Sequence, residues 1–405
     1  MEFDKFFSKS GSRLKSSKIR ELMKLAGVPG IISMAGGMPD PEHFPFKEIK
    51  KIIEAWDAAK QAAALQYGST SGYPPLLKEI QNYVAAGGVN FDGQAVLPTT
   101  GAQQAIQLVT RVLCDPGDIV LVEVPTFIGA VAVFIGYGAK PEGVPMDSQG
   151  LIPQALEKKL EELKSAGLKP KFLYTIPNFQ NPSGLTMSQQ RRDKIYSICR
   201  RFDLPVVEDD PYYELYFEGS AADYRNIKSR DTDNRVILLN TFSKILSPGL
   251  RLGWMVGPEK VVAACELAKQ SEDACSSSFS QVVASDYLAL GCVAEYTAKM
   301  RVIYSEKCRL MLERLAAEMP EGVSWSEPRG GFFVWVSLPG SLDSEKLLIE
   351  SVKHKVAFVT GAPFHVDSQG ADKLRLAFSN PSRQEIEEGI RRLGGVIRSM
   401  LEEAQ

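Results

Sequence analysis

Short apolar runs alternate with amphipathic helical stretches over most of the chain, from about residue 46 to residue 290. The helical stretches include residues 46–65 and 72–88, where apolar side chains recur every three or four positions. The apolar runs are rich in β-branched residues and bounded by Gly, Pro or Asp, and they span residues 118–124, 171–177, 204–210, 235–240 and 250–257. Such runs are typical of strands buried on both faces. Their alternation with helices predicts an α/β fold with a mostly parallel central sheet flanked by helices.

The pattern changes after residue 290. A long helical stretch at 293–319 leads to strand-like segments within 322–338, a helix at 344–355, two more strand-like segments and a final amphipathic helix. We therefore predict a large domain over 46–290 and a smaller α+β domain over 291–405. Residues 1–30 are predicted to form an N-terminal arm with an amphipathic helix over 13–26, and the Gly- and Pro-rich residues 31–45 to join the domains.

Charge and composition exclude several classes of function. The chain has 47 basic and 49 acidic residues, so no basic field exists to attract nucleic acid or an anionic membrane. The six cysteines and three histidines show no metal-ligand spacing, and no metal site is predicted. The sequence has no secretory signal pattern and no apolar stretch approaching about 18 residues. We expect a cytoplasmic protein with reduced cysteines.

The most informative segment runs from Thr241 to Gly253, directly after the apolar run 235–240. It places the amine of Lys244 just past a strand end, where ligands bind in an open α/β sheet. Hydroxyl groups and the guanidinium of Arg251 follow within a few residues. An amine beside phosphate-binding groups is what a cofactor that carries a phosphate and forms a Schiff base requires.

This segment resembles the lysine signature of fold-type I pyridoxal-phosphate aminotransferases of class I/II, and further family marks follow in order along the chain. The resemblance implies that Lys244 forms a Schiff base with pyridoxal 5′-phosphate and later acts as the general base. It also implies that the phosphate is held by the turn before a helix and by two later side chains: Gly101, Ala102, Gln103, Ser243 and Arg251. A Gly-containing turn entering a helix offers free N–H groups to a phosphate.

Other family marks imply contacts with the cofactor ring. Asn181, in the run NPSG, resembles the asparagine that donates to the phenolic oxygen and lies beside the substrate. Asp210 is expected to pair with the pyridine nitrogen and Tyr213 to bond the phenolic oxygen, although Glu208 and Asp209 in the same acidic run remain alternatives. Phe127 is expected to stack on the ring.

The remaining marks concern the substrate and the neighbouring subunit. Arg375, inside an apolar strand, resembles the arginine that binds the substrate α-carboxylate. Tyr67 resembles the tyrosine that reaches the phosphate of the other subunit, which implies a homodimer. The passage around Gly36 and Gly37 and the segment 17–22 resemble the α-aminoadipate and kynurenine aminotransferase subgroup, and they place Ser17 and Arg20 near the substrate. There Arg20 is positioned to pair with a distal carboxylate.

These marks together predict a ping-pong aminotransferase that uses a 2-aminoadipate- or glutamate-like donor and 2-oxoglutarate, with aromatic, branched-chain or alanine–glyoxylate activity as further options. A lyase or decarboxylase on the same scaffold is the first alternative. A regulator with an aminotransferase-like sensor domain would need an added DNA-binding domain, for which the family marks, beginning at residue 17, leave no room. A binding module without the cofactor is the third alternative.

Overall fold

The computed structural model describes residues 3–13, 30–367 and 369–403. The predicted N-terminal helix, with Ser17 and Arg20, therefore lies outside the described residues. The described strands are β1 Ile32–Ser33, β2 Gln94–Thr99, β3 Ile119–Val124, β4 Lys140–Asp147, β5 Gly150–Leu151, β6 Leu173–Thr175, β7 Val206–Asp209, β8 Val236–Thr241, β9 Gly253–Pro258, β10 Ser324–Trp325, β11 Phe333–Ser337, β12 Val356–Ala357, β13 Val359–Thr360 and β14 Lys373–Ala377.

The described α-helices flank these strands. They are α1 Phe46–Glu54, α2 Ala58–Leu65, α3 Pro74–Ala86, α4 Ala102–Leu113, α5 Ile128–Tyr137, α6 Pro153–Ser165, α7 Gln189–Arg201, α8 Glu259–Gln270, α9 Ser278–Ala289, α10 Cys292–Glu318, α11 Ser344–Lys353 and α12 Arg383–Glu403. The stretch 46–65, predicted as continuous, forms two helices because Asp57 caps α2 by accepting from the Lys60 N–H at 2.8 Å. No helix in the described part of the chain is long and apolar enough to cross a membrane.

The large sheet has the strand order β2-β9-β8-β7-β6-β3-β4-β5. Strands β8, β7, β6, β3 and β4 run parallel to one another along the sheet, which confirms the predicted mostly parallel sheet. Strand β9 is antiparallel to both β8 and β2, because the connection from β8 to β9 is too short for a crossover helix. Three further strands of this sheet, β2, β4 and β5, were not among the predicted runs. In β4, Pro141 and Pro145 interrupt the apolar pattern.

Apolar side chains cover both faces of the large sheet. One buried cluster includes Ile106 of α4, Phe134 of α5, Tyr174 of β6 and Val207 of β7. The opposite face forms a second cluster against α6 and α7. Burial on both faces explains why the central strands have almost continuous apolar sequences, since each buried aliphatic side chain contributes about 1.5–3 kcal/mol.

The C-terminal part contains an antiparallel sheet with the order β10-β11-β14-β13. Strand β1 pairs in parallel with β12, so the start of the predicted joining segment is held against the C-terminal part. Met34 and Ala35, directly after β1, are fully buried. This pairing carries the following glycines to the carboxyl ends of the large sheet's parallel strands, where the candidate site lies.

Candidate active site

A cavity of about 260 Å³ lies between the carboxyl ends of the parallel strands and the C-terminal sheet. Nine of the predicted site residues line it, although they come from widely separated parts of the chain: Gly37, Ala102, Gln103, Phe127, Asn181, Ser243, Lys244, Arg251 and Arg375. Asp209, which was an alternative to Asp210, also lines the cavity, as do Tyr212, Thr241, Ile176 and Phe333, which were not predicted. The fold therefore gathers the predicted chemistry at one place.

Lys244 follows β8 and extends its amine into the cavity. Its Nζ donates a hydrogen bond to the carbonyl oxygen of Gly37 at 3.0 Å and lies 5.1 Å from the centre of the Phe332 ring. Burial, together with the nearby positive charges of Arg375 and Arg251, lowers the pKa of Lys244 to about 8. About a tenth of the amine is therefore neutral and nucleophilic at pH 7.

The carboxylate that faces the cavity belongs to Asp209, at the end of β7. Its Oδ2 accepts a hydrogen bond of 2.6 Å from the hydroxyl of Tyr174, while its buried Oδ1 has no partner among the described residues. Burial raises the pKa of Asp209 to about 6, against the opposing effect of the Tyr174 hydrogen bond. An unpaired buried carboxylate oxygen of this kind calls for a cationic partner.

Asp210 lies on the opposite side of the strand end, so the prediction for this residue is corrected. The side-chain amide of Asn178 donates to both Asp210 oxygens at 3.0 Å, and the Oδ1 of Asn178 in turn accepts from the guanidinium of Arg192 at 2.7 Å. Burial and the neighbouring Glu208 raise the pKa of Asp210 well above its usual value. Alternation along β7 is the cause, because residues one apart point to opposite faces of a sheet.

The tyrosine that lines the cavity is likewise one residue earlier than predicted, at Tyr212 instead of Tyr213. Tyr212 is buried and lines the cavity. The hydroxyl of Tyr213 lies 3.5 Å from the carbonyl oxygen of Ala221 instead, and Tyr213 is absent from the cavity wall. The spacing of an aspartate three residues before a tyrosine is met twice in this run, by Asp209 with Tyr212 and by Asp210 with Tyr213. Spacing alone therefore could not decide between the two pairs.

The turn before α4 forms the candidate phosphate cradle, which comprises Gly101, Ala102 and Gln103. Gly101 caps the helix with a φ of 77°, and a Cβ at this position would lie 2.8 Å from Nη2 of Arg251. The left-handed backbone conformation favours glycine here, and its missing side chain leaves room for the guanidinium of Arg251. The first N–H groups of a helix lack intrahelical acceptors, and Ala102 and Gln103 both line the cavity.

Two side chains complete this end of the cavity. The hydroxyl of Thr241 donates to Oγ of Ser243 at 2.9 Å, which orients the serine at the cavity wall. Arg251 has a left-handed backbone conformation, with a φ of 50°, and its Nη1 donates to the Pro248 carbonyl oxygen at 3.2 Å. Hydroxyl, guanidinium and helix N–H groups at one end of the cavity suit a phosphate.

Arg375 lies in β14 and is only 2% exposed. Its Nη1 donates to Oδ1 of Asn181 and its Nη2 to the carbonyl oxygen of Ala35, both at 2.7 Å, while Nε has no partner among the described residues. The guanidinium stacks on the ring of Phe333 at 4.2 Å. No carboxylate of the described residues pairs with Arg375, so its charge is available to an anionic ligand.

The other predicted residues take less direct positions. Phe127 lines the cavity beside the cradle, whereas Gly36 lies outside its wall and would place a Cβ 3.1 Å from Met38. Tyr67 is 88% exposed in the single chain and does not reach the cavity. Its loop is anchored by Thr70, whose hydroxyl donates to the Ala274 carbonyl oxygen at 2.5 Å.

The donors and acceptors around the cavity fit pyridoxal phosphate. Asp209 Oδ1 is an unpaired acceptor of the kind that a protonated pyridine nitrogen requires, and Phe127 offers an aromatic face. The cradle with Ser243 and Arg251 would hold the phosphate, and Lys244 supplies the amine. Tyr174, which orients Asp209, was missed by the sequence analysis, although a tyrosine in a buried apolar strand signals a hydrogen-bonded hydroxyl.

Comparisons with known proteins agree with this geometry. A sequence model of the family described as aminotransferase class I and II matches residues 31–393. The chain is 39% identical over 399 residues to aromatic-amino-acid aminotransferase 1 of Thermococcus litoralis, and the match covers 98% of this chain and 95% of that relative.

Two solved structures extend the comparison to three dimensions. Pyrococcus horikoshii kynurenine aminotransferase in complex with PMP has a TM-score of 0.94 and 41% identity, covering 99% of this chain and 98% of that one. The α-aminoadipate aminotransferase of Thermus thermophilus, complexed with N-(5′-phosphopyridoxyl)-L-leucine, has a TM-score of 0.90 and 36% identity, covering 99% of this chain and 100% of that one. The similarity thus includes both sheets and the cavity between them.

Proposed function

The chain belongs to the aminotransferase class I and II family, and we propose that it moves the amino group of a dicarboxylic or aromatic L-amino acid to 2-oxoglutarate. It is a pyridoxal-phosphate-dependent aminotransferase. One observation carries the assignment of residues: Lys244, Asp209 and Arg375 line one cavity, and the last two each have a buried polar atom without a partner among the described residues.

Each group has a separate task in the proposed mechanism. When bound, the cofactor supplies an aldehyde that condenses with amines and a ring that accepts the electrons released at the substrate Cα. Lys244 Nζ would accept the Cα proton of the bound amino acid as general base. Asp209 is the carboxylate that would pair with the ring nitrogen and favour its protonated form.

Binding of the substrate is assigned to the other side of the cavity. Arg375 holds the α-carboxylate, and Asn181 keeps its guanidinium in place through the 2.7 Å hydrogen bond. Each Nη atom of Arg375 has a second N–H besides the one that it donates to Asn181 or Ala35, so the guanidinium can still donate to a substrate carboxylate. The second half of a ping-pong cycle reverses these roles with the acceptor oxo acid.

The substrate class rests on the relatives, which are named for aromatic amino acids, kynurenine and α-aminoadipate. A panel of amino donors with 2-oxoglutarate tests the proposal, with glutamate formation as the measurement. Arg20→Ala is expected to weaken dicarboxylic donors selectively. Unchanged rates for those donors would refute the role of Arg20. Release of ammonia or CO₂ without glutamate would contradict the proposed reaction.

The covalent attachment is tested separately at Lys244. Borohydride reduction of the holoenzyme should leave a pyridoxyl adduct on the peptide that contains residue 244. Lys244→Ala should lack the adduct and lose transaminase activity by about 10³-fold or more, since both the attachment point and the base are removed. An adduct mapped to another lysine would overturn this assignment.

We further propose a cytoplasmic homodimer in which Tyr67 contributes to the partner's phosphate site. The exposure of Tyr67 and the unpaired state of all six cysteines support this proposal. Mixed dimers test it, because one Lys244→Ala subunit and one Tyr67→Ala subunit would together contain one intact site if Tyr67 acts across the interface. Recovery of cofactor affinity and activity in the mixture is expected. Mixtures no better than the parent variants would exclude the crossed arrangement.

A further inference from the structure

Behind the phosphate cradle lies an ion pair between a buried lysine and a partly exposed aspartate, which the proposed mechanism does not use. Lys269, near the end of α8, has a fully buried side chain, and its Nζ donates to Oδ1 of Asp273 at 2.6 Å. Buried lysines are rare and require a partner, so this pair is a specific feature of the structure. The pair uses only Oδ1 of Asp273, which leaves Oδ2 for other hydrogen bonds.

Asp273 Oδ2 accepts hydrogen bonds from Thr100 and Gln104, the residues that flank the cradle in sequence. It accepts from the hydroxyl of Thr100 at 2.9 Å and from the side-chain amide of Gln104 at 2.8 Å. The Oε1 of Gln104 in turn accepts from the Thr100 N–H at 2.7 Å. These bonds close a ring around the turn that contains Gly101, Ala102 and Gln103.

The ring lies outside the cavity. Thr100 and Gln104 are absent from the cavity wall, whereas Ala102 and Gln103, between them in sequence, line it. The contacts with Asp273 therefore hold the first turn of α4 from the side opposite the ligand. Gly253 packs against the same turn, since a Cβ there would lie 2.8 Å from the Gly101 carbonyl carbon.

We propose that Asp273 is a positioning residue for the cofactor phosphate, which acts by fixing the first turn of α4 through Thr100 and Gln104. This inference rests on the proposed function, because it presupposes that the cradle binds the phosphate of pyridoxal phosphate. Lys269 stabilises the carboxylate and offsets its negative charge. The phosphate then meets N–H groups held in place before it arrives, which lowers the entropic cost of binding.

Whether removal of the Asp273 charge strengthens or weakens phosphate binding distinguishes a positioning role from a purely electrostatic one. Asp273 is negative and lies close to a site for an anion, so its charge acting through space weakens phosphate binding. Removal of that charge would strengthen binding if electrostatics dominated. Removal weakens binding if the carboxylate acts by holding the turn. The two accounts thus predict opposite outcomes for the same substitution.

The experiment compares pyridoxal phosphate with pyridoxal, which lacks the phosphate. Dissociation constants of both are measured by titration of the apo form of the full chain with Asp273→Asn and Thr100→Val. Each variant is expected to raise the dissociation constant of pyridoxal phosphate by about tenfold, because a hydrogen bond to a charged group is lost. Pyridoxal, which does not use the cradle, should bind as it does to the wild type. Thr100→Val removes one of these hydrogen bonds without changing any charge, so it still tests the positioning role if Asp273→Asn does not fold.

Glu272→Gln is the matched control, because Glu272 is the neighbouring carboxylate but pairs with Arg111 at 3.3 Å instead of contacting the cradle. This variant should bind both ligands normally. Equal weakening of both ligands would mean a general structural role, and tighter or unchanged pyridoxal phosphate binding would also overturn the proposal. A borohydride adduct at Lys244 at saturating cofactor, in wild type and variants alike, shows that the proposed function stands whichever result is obtained.

Discussion

The two sides of the end of β7 differ in how completely their polar groups are paired. On the cavity side, one buried oxygen of Asp209 and one buried nitrogen of Arg375 have no hydrogen-bond partner among the described residues. On the far side, Asp210 accepts two hydrogen bonds from Asn178. Arg192, fully buried there, donates five hydrogen bonds to surrounding oxygens.

The difference shows which buried charges serve a ligand and which serve the fold. Burial and a raised pKa are shared by Asp209 and Asp210, so neither property identifies the site. The far-side network is complete, and it holds the loop that begins at Asn178 and leads to Asn181. The cavity side is incomplete within the described chain, and an incomplete buried set requires a partner from outside the chain.

The largest expected effect separates the two aspartates. Asp209→Asn should lower kcat/KM by about 10³-fold, because it removes the counterion of the ring nitrogen. Asp210→Asn should leave kcat/KM within about threefold, since Asp210 contacts neither cavity nor ligand. Steady-state kinetics with saturating cofactor measures both. Similar losses in the two variants would invalidate the distinction.

Removal of the far-side cation should affect stability rather than chemistry. Arg192→Met is expected to lower the free energy of unfolding by about 3–5 kcal/mol, because it leaves Asn178 and several carbonyl oxygens without their donor. Urea denaturation of the holoenzyme is the measurement. Arg201→Met, on the same helix with an exposed ion pair to Glu157, is the control and should cost about 1 kcal/mol or less.

Loss of the hydroxyl that supports Asp209 should have an intermediate effect. Tyr174→Phe is expected to weaken cofactor binding by about tenfold, because a hydrogen bond to a charged group is lost and the pKa of Asp209 rises further. Titration of the apo form with both pyridoxal phosphate and pyridoxal should show the same loss, since the ring is affected and the phosphate is not. Tyr83→Phe removes a similar 2.6 Å hydrogen bond to Glu214 from a residue that does not line the cavity, and it should change neither affinity.

The smallest effect concerns pH. Asp209 has a pKa of about 6 in the folded chain, so its carboxylate is charged above pH 6 and is neutralised as the pH falls through that value. Cofactor affinity should therefore fall by about fourfold between pH 7 and pH 5.5, in proportion to the charged fraction of Asp209. The cofactor titrates as well, so the test is the difference between wild type and Asp209→Asn. Parallel pH profiles of the two proteins would remove Asp209 from this role.

Much of the fold and part of the site could be predicted from the sequence because the relevant signals are local. Strands buried on both faces appear as continuous apolar runs, and the groups of the 241–253 segment are close because they are close along the chain. The position of Lys244 just past a strand end follows from the same local pattern. Arg375 was predictable because a charge within an apolar strand needs a partner.

Only the tertiary structure decided which of two neighbouring residues faces the ligand. Asp209 and Asp210 have the same spacing to a tyrosine, and the choice depends on how β7 is pleated between β6 and β8. The support of the cradle by Asp273 and of Arg375 by Asn181 joins residues 173 and 194 positions apart. Contacts of this kind arise when strands and helices pack, and a local pattern cannot record them because neither partner is constrained by its own neighbours along the chain.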